Sequence, residues 1–299
     1  MEPTNNTKRA TVGEVELAYE TLGREGDPPV LLVMGLGGQM HYWPDGFCRA
    51  LTDRGLYVVR YDNRDVGLST HLAGAGPVDL QALASGGDTA APYGLEDLAA
   101  DAVGLVGALG LQSAHLVGIS LGGMIVQLAA IEHPARVRSL VSIASTTGDP
   151  SVGAPKPEAL AALFTPPGTT REEVADHAVA LARVIGSPGF VLDEPWLRWR
   201  AARAFDRGYD PDGVSRQAAA AFTASDRTAR LGQVSVPALV VHGSADPLVD
   251  LSGGRATAAA IPNAELLVID GLGHDLPPGI WAAIADAIAA TVRRATPTA

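Results

Sequence analysis

Short runs of branched aliphatic residues recur along the chain, most of them closed by glycine or aspartate and followed by a helical period. The run 29–35, PVLLVMG, is apolar throughout, as a strand covered on both faces must be. Further runs at 56–62, 114–120, 137–145, 237–243 and 264–270 predict more strands. VELAY, 15–19, alternates apolar with polar and predicts an amphipathic edge strand. Between these runs, apolar spacing predicts helices near 44–54, 94–109, 121–132, 251–260 and 278–293. Strands alternating with helices define an α/β class: a mostly parallel, twisted sheet with helices on both faces.

The alternation breaks once. From 147 to 232 no buried-strand run occurs, and prolines cluster about a mainly helical stretch. The chain therefore divides into a core at 1–146, a helical cap at 147–232 inserted between late strands, and a second core segment at 233–299. The cap is close to neutral and rich in Phe and Trp. Most of those rings are expected to pack the cap's own core, with one or two lining a pocket. WLRWRAARAFDR places Trp196, Trp199 and Arg203 on one helical face. Its arginines are read as a solvated face, the alternative being contact with an anionic substrate.

Composition narrows the function. The chain has 299 residues, 47% apolar and 18% charged, with a formal net charge of −11. That charge argues against nucleic acid or an anionic membrane as partner. The single cysteine, Cys48, allows no internal disulfide. The opening residues lack the apolar segment of a signal peptide, and no run reaches the roughly 20 apolar residues that cross a bilayer. A cytoplasmic protein is expected, with monomer and homodimer left open.

The candidate chemistry begins at Gly118-Ile119-Ser120-Leu121-Gly122, a G-x-S-x-G match lying between a predicted buried strand and an apolar helix. That is the setting of a nucleophile elbow, in which a tight turn lifts the serine above the sheet edge and aims the Leu121 N–H into the same space. An ordinary helix-capping serine is the plain alternative. A serine hydroxyl needs a base to take its proton, and the base needs an orienting acid. Asp246 follows one late strand and His274, flanked by glycine, follows the next. Asp250 is read instead as starting a helix, Asp270 as a strand end, and Asp275 as a solvent-facing neighbour. The order Ser120, Asp246, His274 is that of the α/β-hydrolase arrangement.

The glycine-rich loop after the strand at 29–35, MGLGG, has two readings. It opens like a dinucleotide-binding loop, but Met40 stands where the third glycine of that fingerprint belongs. It also suits a loop that offers a backbone N–H to a reacting carbonyl, and only that reading accounts for Ser120, Asp246 and His274 as well.

MGLGG, YDNRDVGLS, GISLGG, HGSADPLV and GLGH resemble, in order and spacing, the α/β-hydrolase superfamily over essentially the whole chain. VMG, WPDGF and RYDNRDVGLST resemble the group that contains aclacinomycin methylesterase, capped serine hydrolases without a cofactor. The resemblance implies a carboxylic ester as substrate, with no metal and no organic cofactor, while the aromatic content of the cap points to a small, bulky apolar or planar molecule. It places the second oxyanion N–H on Leu36, beside that of Leu121. Where the superfamily pattern has histidine before the first glycine, this chain has Met34. Asp62 and Arg64 are expected to pair and hold the loops near the elbow. Lactonases, C–C bond hydrolases and cofactor-free perhydrolases keep the same serine and stay open, as does a non-turnover receptor. Epoxide hydrolases and haloalkane dehalogenases carry aspartate at that position, which counts against them.

Overall fold

The structure, a computed structural model, describes residues 6–84 and 91–295. Its centre is an eight-stranded sheet: β1 (Lys8–Val12), β2 (Val15–Leu22), β3 (Pro29–Val33), β4 (Tyr57–Tyr61), β5 (Ala114–Ile119), β6 (Val137–Ile143), β7 (Ala238–Gly243) and β8 (Glu265–Ile269). The order across the sheet is β1-β2-β4-β3-β5-β6-β7-β8. β2 runs antiparallel to β1 and to β4, and every other pairing is parallel.

The predicted edge strand at 15–19 is not the edge. β1 occupies that place, paired to β2 through the two-residue turn Gly13-Glu14, with Gly13 at φ +56°. A positive φ at the first central residue suits a two-residue hairpin. The sequence KRATV is polar and largely exposed, so it carries no apolar run by which to be recognised. β3, β5 and β7 lie in the interior of the sheet and are buried, β5 and β7 each enclosing one histidine, His115 and His242.

Two cores cover the faces. Helices α1 (Asp45–Thr52) and α11 (Trp281–Ala295) pack on one, burying Trp43, Phe47, Leu51, Ile284 and Ile288 against β3, β5, β6 and β7. On the other lie α3 (Leu95–Ala108), α4 (Leu121–Glu132) and α10 (Leu251–Ala260), while the short α2 (Leu80–Ala84) contacts the inserted helices. α4 is apolar nearly all round, as a helix covered on every side should be.

Five helices fill the interval between β6 and β7: α5 (Pro157–Leu163), α6 (Arg171–Ile185), α7 (Glu194–Gly208), α8 (Pro211–Phe222) and α9 (Thr228–Leu231). Their starts explain the local sequence. Asp193 and Asp210 cap α7 and α8 by accepting from Trp196 N–H and Gly213 N–H, with proline in the first turn of each. Thr170 and Glu173 form a reciprocal capping box at the start of α6. No helix among the described residues is long and apolar enough to cross a membrane.

Candidate active site

Ser120 stands between β5 and α4 at φ +56°, ψ −122°, a strained conformation for a residue with a side chain. Its backbone is held from both sides: its N–H donates to Ile143 O (2.9 Å), and Ser145 Oγ donates to its carbonyl (2.8 Å). The turn closes so tightly that a methyl group at Gly118 would collide with Gly122 O, and one at Gly122 with Val33 O. Strand and helix approach this closely only because both positions lack a Cβ.

The two other candidates come from neighbouring strand ends. Asp246 follows β7 and His274 follows β8, and His274 Nδ1 lies 2.8 Å from Asp246 Oδ2. The second oxygen, Oδ1, accepts from Leu248 N–H and Val249 N–H, both at 2.9 Å. Burial alone would raise the Asp246 carboxyl. The His274 ring and the Val249 N–H outweigh it, so the group stays ionised to a lower pH than an ordinary aspartate. Asp250 caps α10, and Asp270 accepts from Ser244 Oγ, so neither rival acid is bonded to the histidine.

Leu121 occupies the first position of α4, where an N–H has no helical carbonyl behind it. Leu36 lies in the loop after β3, turned back by Gly38 N–H donating to Gly35 O (3.1 Å). Both residues face the same chamber as Ser120 and His274. The inserted helices hold this loop. Gly37 N–H donates to Gln217 Oε1 of α8 (2.9 Å), and Gln39 Nε2 donates to Ala204 O and Gly208 O of α7. Asn63 Nδ2 adds a bond to Met34 O (3.1 Å). Gln217 is fully buried, and nothing near it in the sequence announces this role.

Asp62 and Arg64 do not pair. Arg64 forms a two-pronged pair with Asp101 of α3, both bonds 2.7 Å, and lies over the Tyr93 ring. Asp62 accepts from Met40 N–H, Leu68 N–H and Arg207 of α7. Asp65, His71 and Asp210 also converge, but Arg216 stands among them and donates to both carboxylates. The negative charge there is met by a guanidinium.

The chamber encloses about 680 Å³ between the sheet's carboxyl edge and the inserted helices. Phe164, Trp196, Phe205 and Phe222 all line it, more rings than the sequence reading allotted. The Trp196–Trp199–Arg203 face also divides. Trp199 is half exposed with Arg203 over its ring, whereas Trp196 faces the chamber together with Arg200. Arg200 and Arg207 thus point inward, against the expectation of a solvated face. Asp275 is likewise not a solvent-facing neighbour. It lines the chamber, accepts from Ser187 Oγ, and burial raises its carboxyl.

The inserted segment and the histidine loop are interlocked. His274 N–H donates to Ile185 O (2.8 Å), Gly189 N–H to Gly271 O (2.9 Å) and Gly273 N–H to Ser187 Oγ (2.8 Å). A Cβ placed on Gly189 would lie 2.9 Å from Gly271 Cα, so the two backbones touch there.

Comparison with other proteins agrees with this architecture. Residues 28–277 match the family model described as alpha/beta hydrolase fold. The chain is 31% identical to rhodomycin D methylesterase DnrP of Streptomyces peucetius, over 97% of this chain and 99% of that protein. It is 26% identical to 3-oxoadipate enol-lactonase 2 of Acinetobacter baylyi, over 87% of each. The crystal structure of the enol-lactonase from Burkholderia xenovorans LB400 superposes with a TM-score of 0.71 at 25% identity, covering 96% of this chain and 99% of that one.

Proposed function

The chain belongs to the α/β-hydrolase fold family and is a carboxylic ester hydrolase of methylesterase-like kind, and we propose that it cleaves the ester of a bulky, largely apolar small molecule with Ser120, His274 and Asp246 as its catalytic triad. One observation carries this reading. His274, bonded to Asp246 28 residues away in sequence, lines the same chamber as Ser120.

In the proposed reaction His274 takes the proton of Ser120 as Oγ attacks the ester carbonyl. Asp246, fixed by two backbone N–H groups, holds the Nδ1–H tautomer and stabilises the imidazolium that forms. The N–H groups of Leu36 and Leu121 receive the negative charge growing on the carbonyl oxygen, each donor lowering the barrier by about 3 kcal/mol. His274 then protonates the leaving alcohol, and water hydrolyses the acyl-enzyme by the same steps in reverse. Every step is supplied by these groups, without a metal or organic cofactor. Segments 1–146 and 233–299 act as the catalytic core, and 147–232 as the cap that shapes the substrate chamber. The aromatic lining supports a bulky apolar or planar substrate.

Stopped-flow hydrolysis of p-nitrophenyl acetate and butyrate tests the assignment. A burst followed by steady turnover, absent in Ser120→Ala, is expected. Substantial turnover by a folded Ser120→Ala enzyme would overturn it.

A further inference from the structure

Most arginines that reach into the interior among the described residues are paired or hydrogen-bonded. Arg60 is paired with Glu20 and Asp45, Arg64 with Asp101, Arg207 with Asp62, and Arg216 with Asp65 and Asp210. Even Arg227, which has no carboxylate, donates to Gln127 Oε1, Ser225 O and Thr146 O. Arg200 has no ion pair and no side-chain hydrogen bond among the described residues, and its Nε is fully buried without a partner.

What holds Arg200 is aromatic. Its guanidinium carbon lies 4.1 Å from the centroid of the Tyr42 ring and 4.6 Å from that of Trp196. Those rings attract the cation but do not replace oxygen acceptors for its N–H groups. Arg200 is only partly buried and lines the chamber, so its Nε is shut away while the rest of the guanidinium is not, and desolvation pulls its pKa down. A partly desolvated cation without an oxygen acceptor is costly, and an anion entering the chamber would offset that cost. Asp275 attracts Arg200 through space, but its carboxylate is bonded to Ser187 Oγ rather than to the guanidinium.

We propose that Arg200 is an anion-binding subsite of the chamber, and that the substrate is a half-ester: an apolar body carrying one free carboxylate besides the ester that is cleaved. The proposal rests on the hydrolase reading above, because it places the carboxylate in the same chamber as Ser120 and His274. A planar carboxylate matches the forked donors of a guanidinium. The neighbouring Asp275 favours a single negative charge over a phosphate dianion.

The test compares mono-p-nitrophenyl glutarate, which carries a free carboxylate, with the neutral p-nitrophenyl valerate. In the wild type kcat/KM should favour the anionic ester by tenfold or more. In Arg200→Gln that ratio should fall to about one, chiefly through KM, and Arg200→Lys should restore part of it. A wild-type ratio of one or less overturns the proposal. So does an Arg200→Gln enzyme that loses both esters in equal proportion, because Arg200 would then only support the fold of the chamber. Calorimetry on Ser120→Ala separates the two readings: monomethyl glutarate should bind at least tenfold more tightly than dimethyl glutarate. If no ester is turned over by a serine-dependent route but this preference holds, the hydrolase reading fails and the subsite stands. Equal binding of the two esters removes the subsite.

Discussion

Arg207 of α7 donates to the fully buried carboxylate of Asp62 at 2.9 Å, across 145 residues of sequence. The same carboxylate accepts from the backbone of Met40 and Leu68, so one charge fastens the inserted helices to two loops of the sheet's carboxyl edge. Replacing Arg207 by Met leaves that charge buried and unmatched, which typically costs about 3–5 kcal/mol. Urea unfolding should show a loss of this size in Arg207→Met, and Asp62→Asn combined with it should recover part of the loss.

Ser120 carries a second, separable cost. A side chain at φ +56°, ψ −122° is strained by about 1–3 kcal/mol. Ser120→Ala removes the hydroxyl and keeps the strain, whereas Ser120→Gly removes both. Glycine gives back about 0.4–1 kcal/mol through the entropy of the unfolded chain. Ser120→Gly should therefore be inactive yet more stable than Ser120→Ala by about 1 kcal/mol in equilibrium denaturation. Equal stability would mean that the turn is not strained.

Gln217 ties Gly37, next to Leu36, to the Arg64 carbonyl by accepting 2.9 Å from one side and donating 2.7 Å on the other. Gln217→Leu strands both backbone groups, a loss of about 1–3 kcal/mol in stability. If Leu36 supplies an oxyanion donor, kcat should also fall about tenfold with little change in KM, because a donor that drifts weakens the transition state more than the bound ester. A stability loss without a kcat loss would free the loop of that role.

Buried histidines set the acid limit. Burial, with nearby arginine charges, pushes His41 down to about 2; burial, with Arg138, pushes His115 down to about 4. Both are neutral in the folded protein, whereas the unfolded chain protonates them near pH 6.5. Their contribution is complete above pH 6.5 and is lost as pH falls towards the folded values. His115 alone accounts for about 3 kcal/mol between pH 6.5 and 4, a slope of at most about 1.4 kcal/mol per unit. Denaturation midpoints measured across this range should decline more gently in His115→Gln than in the wild type.

Legibility in the sequence followed the range of the interactions. The elbow was readable because its parts are local: a buried strand, two positions that need glycine and an apolar helix within 19 residues, 114–132. Asp246 and His274 were readable as strand ends, and the structure sets them 2.8 Å apart. The polar partners were not. Asp62 and Arg64 sit two apart and invite pairing, yet their partners, Arg207 and Asp101, come from helices whose placement no spacing records. β1 went unseen because an exposed edge strand buries almost nothing and needs no apolar period. Asp275 and Arg200 looked like ordinary surface charges, since what makes them unusual is the chamber, and the chamber exists only once the inserted helices lie over the sheet.

The contact of Gly189 with Gly271 bears on how this enzyme could change its diet. An inserted segment that lines much of a chamber invites transplantation from one fold to a relative. Here the segment 185–189 is threaded against the loop that bears His274 by three hydrogen bonds and a backbone contact that tolerates no Cβ. A foreign insert would arrive with a different seam and would disturb the His274 loop as well as the pocket. Chimeras should keep 185–189 native and exchange only what lies on either side, so that new specificity is grafted without unseating the histidine.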